Sequence, residues 1–339
     1  MTPPKSGVAL PAASADDTCV GAATRAAVAI AAATIASAAY QQAADAADRH
    51  RFPPPGRLVD IGGRRIHLLA MGEGTPTVVI IPALGSNVLE WVRVLRGALS
   101  ETTVCAYDRA GLGWSDPSDR PVSIDAMADD LHAMLKAAGI APPCVIAGHS
   151  MGGVVARRFQ SRYPEEVAGM LLIDSSHEDQ SRRLDGHDRW YDIGRSTKRR
   201  LRVLGVRRAA ALFGLVRSLS AESLARETVP EYAGAAKASS LSTKQRRTVV
   251  QEMRLLARPQ RQPQDLGTLP LAVLSAGSAE RRKWPDWAAW CRLQDELAAL
   301  SSGSVYMYAV NADHNVHLDD PGLVVQAIRD LVERCRQSA

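Results

Sequence analysis

Val145-Ile146-Ala147-Gly148-His149-Ser150-Met151-Gly152-Gly153-Val154 places a G-x-S-x-G between a short apolar strand and a helix. Residues 143–147 read as a buried parallel strand, and residues 154–159 as a helix that stops before Pro164. At such a turn the serine is forced into a strained backbone conformation that only flanking glycines permit. Its hydroxyl is thereby pushed out at the end of the sheet, where substrate and base can both reach it. Ser150 is therefore the candidate nucleophile. The motif alone is weak, so its strand-to-helix setting must carry the reading.

Working outward, residues 57–61 and 64–70 alternate apolar and polar side chains around Gly62-Gly63, a hairpin signal that implies an antiparallel edge. Continuous apolar runs follow at 77–81, 103–107, 144–147, 170–173, 271–275 and 305–310. They alternate with helical segments at 88–99, 124–138, 154–163, 287–300 and 321–335, the last with Asp320 as N-cap and Pro321 at its first position. This is the pattern of a mostly parallel sheet covered by helices on both faces. Between 174 and 271 the alternation lapses, over a length too great for an ordinary connection. A helical cap over the carboxyl ends of the strands is expected there. The expected organisation is a leader over 1–50, a Pro-rich linker over 51–56, a core over 57–177 and 266–336, and a cap over 178–265. Within the cap, residues 198–217 are basic with interspersed apolar residues; a solvated helix is preferred there over a membrane-surface face.

With 339 residues, 46% of them apolar, the chain is globular and can bury one large core or two modest ones. Its formal charge of +5 comes without zinc-finger spacing, an RNA-binding signature or basic-aromatic interleaving, so nucleic acid is not an expected partner. Five scattered cysteines lack C-x-x-C spacing, and neither a disulfide framework nor a zinc site is indicated. H-E-x-x-H is absent and the histidines do not pair at ligand spacing, so no metal and no cofactor is expected. The leader contains an uncharged, alanine-dominated run over 26–40. A membrane anchor is the preferred reading of this run, against a signal peptide cleaved after Ala36-Ser37-Ala38 or a floppy leader. A membrane-anchored protein is accordingly expected, with a cytoplasmic or secreted one as the alternative.

With these residues in view, the chain resembles the α/β-hydrolase superfamily over residues 54–332, in the form with a lid after the sixth strand. Besides the serine turn, Tyr107-Asp108-Arg109-Ala110-Gly111-Leu112-Gly113-Trp114-Ser115 is similar to the family's Y-D-R-x-G-x-G-x-S segment. Ala312-Asp313-His314-Asn315-Val316-His317-Leu318-Asp319-Asp320-Pro321 is similar to the segment that carries its catalytic histidine. The resemblance implies His314 as general base, with His317 structural, His149 turned into the sheet, and Asp313 unsuited as the orienting acid. The acid is Asp174, after the sixth strand, or Glu280, after the seventh. Asp174 is preferred because Glu280 abuts Arg281-Arg282-Lys283 and is open to surface pairing. The same resemblance implies an oxyanion hole from the backbone N–H groups of Met151 and Leu84, although Pro82-Ala83 departs from the family's common His-Gly. Leu84 and Trp114 are equally readable as acyl-pocket lining or as core.

The expected activity is hydrolysis, without a cofactor, of a carboxylic ester of a small or lipid-like substrate through an acyl-enzyme. Amide or peptide hydrolysis is the first alternative, and carbon-carbon bond hydrolysis follows. Serine at the turn argues against haloalkane and epoxide cleavage, which use aspartate there in this superfamily. From a different class, a binding protein that kept the pocket and lost turnover is the remaining reading. Oligomeric state and acyl preference are not legible.

Overall fold

The structure, a computed structural model, describes residues 15–184, 208, 221–258 and 265–338. It begins with helix α1 (Ala15–Arg51), the hairpin β1 (Arg57–Asp60) and β2 (Arg65–Met71), and β3 (Val78–Ile81). A 3₁₀ turn at Val88–Trp91 leads into α2 (Val92–Ala98), β4 (Val104–Tyr107), α3 (Ile124–Ala138), β5 (Cys144–His149), α4 (Met151–Arg162) and β6 (Val167–Ile173). The described helices α5 (Gln180–Arg183), α6 (Ala221–Glu227), α7 (Ala233–Leu241) and α8 (Thr243–Leu256) separate β6 from β7 (Leu271–Ala276). The chain ends with α9 (Trp287–Ala298), β8 (Ser304–Ala309), α10 (Val316–Asp319) and α11 (Pro321–Gln337).

The eight strands form one sheet in the order β1-β2-β4-β3-β5-β6-β7-β8, parallel from β4 to β8, with β2 antiparallel to both its neighbours. Alternation sorts the buried side chains between two layers. Val78, Ile80, Val104, Ala106, Val145 and Ala147 face α2 and α11, whereas Val79, Ile81, Cys105, Ile146 and Leu172 face α3 and α4. The expected doubly covered sheet is therefore present, and each expected strand lies within a residue or a few of its place. Asp320 caps α11 by accepting from Leu323 N at 3.0 Å.

Strand order reverses beside β3: the chain passes from β3 outward to β4, and then resumes at β5 on the other side. The loops leaving β3 and β5 thus diverge from adjacent strand ends and open a crevice, the usual ligand position in such sheets.

The leader requires a correction. Among the described residues no helix is long and apolar enough to cross a membrane, which overturns the expected membrane-anchored location. Length is not the obstacle, since α1 has 37 residues. Its apolar content is mostly alanine methyl groups, each contributing roughly 0.8 kcal/mol on burial against ~1.5–3 kcal/mol for a leucine or valine. The far end of α1 packs instead on α7 and α8. Gln41 donates to Leu241 O at 3.0 Å, Thr243 N donates to the Asp45 carboxylate at 3.1 Å, and Arg208 pairs with Asp45 and Asp48 at 2.7 and 2.5 Å. The Pro-rich segment is also packed: Phe52 lies against Gly234, and its carbonyl accepts from the Trp114 indole at 2.9 Å. Apart from Arg208, the basic run at 198–217 lies outside the described residues.

Candidate active site

Ser150 stands between β5 and α4 with φ 52° and ψ −119°, a combination that L side chains rarely adopt and that costs about 1–3 kcal/mol. Its surroundings explain the flanking glycines. A Cβ on Gly148 would fall on the Gly152 carbonyl, and one on Gly152 would strike the carbonyl of Ile81 at the end of β3. The turn is therefore closed against the β3 loop, and its backbone is tied by Ser150 N donating to Ile173 O at 3.1 Å.

His314 reaches this turn from the loop after β8. Its Nε2 lies 3.1 Å from Ser150 Oγ, and its Nδ1 lies 2.6 Å from Asp174 Oδ2. A carboxylate only accepts, so Nδ1 carries the proton and Nε2 presents a lone pair to the serine hydroxyl. The histidine loop is held from below: His149 Nε2 donates to His314 O at 2.8 Å. His317 is fully buried, with its ring flat on Trp91 at 4.0 Å, and burial, with the nearby His314, lowers its pKa to about 3. Asp313 is turned away and accepts from the Ser278 hydroxyl.

Asp174 follows β6 and has no solvent exposure. Its Oδ1 accepts from Trp290 Nε1 at 2.8 Å and Ala276 N at 3.1 Å, and its Oδ2 accepts from Arg281 at 3.3 Å besides His314. Burial presses the carboxyl towards protonation, but the bond and charge of His314, with Arg281 and Trp290, outweigh it and hold the group below its ordinary value. The following loop is fixed by Arg157, which donates to Ser175 Oγ, Ser176 O and Glu178 at 3.0–3.1 Å. Glu280 is elsewhere: exposed, it pairs with Lys283 at 2.5 Å.

Met151 opens α4, so its N–H has no carbonyl one turn back within the helix. Leu84 lies in the β3 loop, where Ser86 N donates to Ala83 O and Gly85 N to Glu252, leaving the Leu84 N–H outside these bonds. Trp114 is tied through its indole to Phe52 and lines a cleft of about 470 Å³ with Asp48, Arg49 and Lys244; the lining of this cleft does not include Ser150 or His314. Asp108 braces this region by accepting from Val88 N, Trp114 N and His67 at 2.7–3.0 Å. Among the described residues no group of three His, Cys, Asp or Glu side chains is arranged to hold a metal ion.

Trp290, Arg281 and Glu252 were not among the expected site residues. Trp284, Trp287 and Trp290 recur at helical spacing, which is visible in the sequence, but nothing local tells which of them crosses to Asp174.

Residues 76–268 match the model of a family described as alpha/beta hydrolase fold. YqjL of Bacillus subtilis (strain 168), an uncharacterised protein, is 26% identical over 269 residues, which cover 79% of this chain and 88% of YqjL. A thermophilic esterase from Thermogutta terrifontis superposes with a TM-score of 0.58 at 23% identity, covering 80% of this chain and 94% of the esterase. An epoxide hydrolase from Bacillus megaterium superposes with a TM-score of 0.61 at 14% identity, covering 82% of this chain and all of the hydrolase (100%). At these identities the superpositions speak to the fold alone.

Proposed function

Because the chain belongs to the α/β-hydrolase fold family, we propose that it is a serine hydrolase that cleaves a carboxylic ester of a small or lipid-like molecule through an acyl-enzyme. The observation that carries this reading is the continuous run of contacts from Ser150 Oγ through His314 to the buried Asp174. The esterase among the similar structures is consistent with it.

In this mechanism Ser150 Oγ attacks the ester carbonyl carbon while its proton passes to His314 Nε2. The carbonyl oxygen becomes an oxyanion that accepts from the N–H groups of Met151 and Leu84. Asp174 stabilises the imidazolium, which then gives its proton to the departing alkoxide as the carbon-oxygen bond breaks. Water attacks the acyl-serine in the second half, with His314 taking the proton and returning it to Ser150. Serine in place of aspartate at the turn favours an acyl-enzyme over the alkyl-enzyme of epoxide cleavage.

The test is direct. A fluorophosphonate should label Ser150, and Ser150→Ala should abolish both labelling and turnover of p-nitrophenyl esters with the fold intact by circular dichroism. Turnover by the alanine variant near the wild-type rate would defeat the assignment. Wild-type protein that takes no label and turns over neither esters nor amides would favour a binding protein.

A further inference from the structure

Helix α8 carries Gln245, Thr248, Val249 and Glu252 along one side, since positions i, i+3, i+4 and i+7 return to the same helix face. Gln245, Thr248 and Glu252 are polar yet buried, where a helix ordinarily sets its apolar stripe. Each meets a loop at the carboxyl end of β3 or β4. Gln245 donates to Gly85 O at 3.2 Å and accepts from Gly113 N at 3.1 Å. A Cβ on Gly111 would strike Thr248, and one on Gly85 would strike Val249. Glu252 Oε2 accepts from Gly85 N at 2.8 Å.

Glu252 is also the partner of Arg109, with side-chain exposures of 0% and 3%. Its Oε1 accepts from Arg109 Nε at 2.8 Å, and its Oε2 accepts from Nη2 at 3.0 Å. The rest of the guanidinium donates into the β3 loop, from Nη1 to Pro82 O at 2.5 Å and from Nη2 to Ala83 O at 2.7 Å. The last bond matters for the chemistry. Ala83 O and the Leu84 N–H belong to one planar trans peptide and point in opposite directions, so holding the carbonyl fixes the direction of the N–H. A flip of that peptide would put a carbonyl oxygen where a donor is needed.

On the hydrolase reading above, we propose that Arg109 and Glu252 are positioning residues for the oxyanion hole. Glu252 on the inserted helix orients Arg109, and Arg109 locks the Ala83–Leu84 peptide with its N–H free to face the oxyanion. The insertion then completes the catalytic apparatus. Its role survives the absence of His-Gly at Pro82-Ala83, because the lock acts on backbone carbonyls.

The experiment compares Glu252→Gln and Arg109→Lys with wild type on p-nitrophenyl acetate, with every rate divided by the Ser150 titrated with a fluorophosphonate so that unfolded protein drops out. The glutamine loses the charge that aligns the fork, and the lysine cannot hold two carbonyls and a carboxylate in one plane. Expected is a kcat lower by about 10- to 100-fold, less than the ~10²–10³ that outright removal of an oxyanion donor costs, since the Leu84 N–H is misaimed rather than deleted. KM should move by less than about threefold, and affinity for a boronic acid, whose tetrahedral Ser150 adduct places an oxygen in the hole, should fall by the factor seen in kcat. Glu231→Gln is the control: it breaks the exposed Arg96–Glu231 pair at 2.6 Å, another tie between insertion and core, and should leave kcat per titrated serine unchanged. Glu252→Asp, which keeps the charge and shortens the reach, carries the same test if the other two fail to fold. Variants with wild-type kcat and boronate affinity per titrated serine, but a lowered Tm, would overturn the proposal and leave the pair a structural tie. Wild-type protein without labelling or turnover would instead defeat the hydrolase reading itself, whatever the variants do.

Discussion

Asp174 receives four donors on two oxygens, and one of them is the histidine that faces Ser150. Asp174→Asn would present an amide to His314 Nδ1 and favour the wrong tautomer, so kcat is expected to fall by about 10²–10⁴. Glu280→Gln, on an exposed side chain, should stay within about twofold; steady-state kinetics on the two variants check the pair, and a reversed order would transfer the role to Glu280. The sequence could offer only two strand-end carboxylates, because the groups that order Asp174 come from the loop after β7 and from α9, and their approach exists only in three dimensions. A second expectation concerns His317. Its folded pKa of about 3 lies below its ordinary 6.5, so as pH falls through that window the unfolded chain takes up a proton that the folded one refuses. Stability is full above about 6.5 and declines towards 3, by up to ~5 kcal/mol at about 1.4 kcal/mol per pH unit. Glu90, 3.7 Å from His317 Nε2, works in the other direction: burial raises its pKa to about 7, so its contribution is lost as pH rises from 4.5 to 7. His317→Phe keeps an aromatic ring on Trp91 and removes the buried base. Calorimetric Tm between pH 4 and 7 should therefore depend less on acid than in the wild type, and an unchanged acid slope would refute this.

At the scale of elements, the strands and the helices that cover them were legible because their signal is periodic and local. Residues 78–81, 104–107 and 144–147 are apolar throughout, and alternate side chains do enter opposite layers. The serine turn was legible for a related reason, since close packing of backbones leaves glycines in the sequence at fixed spacing, whereas the histidine loop, which has no glycine between 312 and 321, was legible only through its resemblance to the family's segment. Helix α8 shows the opposite case. Its buried stripe of Gln245, Thr248 and Glu252 reads as solvated by any periodicity of apolar residues, because what it meets is loop backbone and the Arg109 guanidinium rather than an apolar face. Burial of Gln245 and Glu252 is tolerated there because each is hydrogen-bonded, and pairing of that kind leaves no one-dimensional pattern. The same blindness hid Glu252 behind Arg109, one of the most recognisable residues of the chain.

At the scale of the whole molecule, the N-terminal helix is tied to the insertion. Arg208 is 92% withdrawn from solvent, with its side chain 8% exposed, and its described charge partners are Asp45 and Asp48 of α1. A chain begun at Arg51 would strip both carboxylates from a mostly buried guanidinium and expose the surface of α7 and α8 that α1 covers. Breaking a buried pair by removing one partner costs about 3–5 kcal/mol, and partial exposure of Asp48 brings the expectation to the lower end of that range. The insertion that Arg208 belongs to also carries Glu252, so the loss should reach turnover as well as Tm. A chain begun at Ser37 keeps Gln41, Asp45 and Asp48 and should match the full-length protein in both. Asp45→Asn with Asp48→Asn in the full-length chain should reproduce the fall in Tm of the shorter truncation, which separates the ion pairs from the rest of the helix. Differential scanning calorimetry and ester turnover on these proteins decide the matter. A chain begun at Arg51 with full-length stability would show α1 to be a passive appendage, whereas a fall in Tm would make it a structural member of the insertion that it braces.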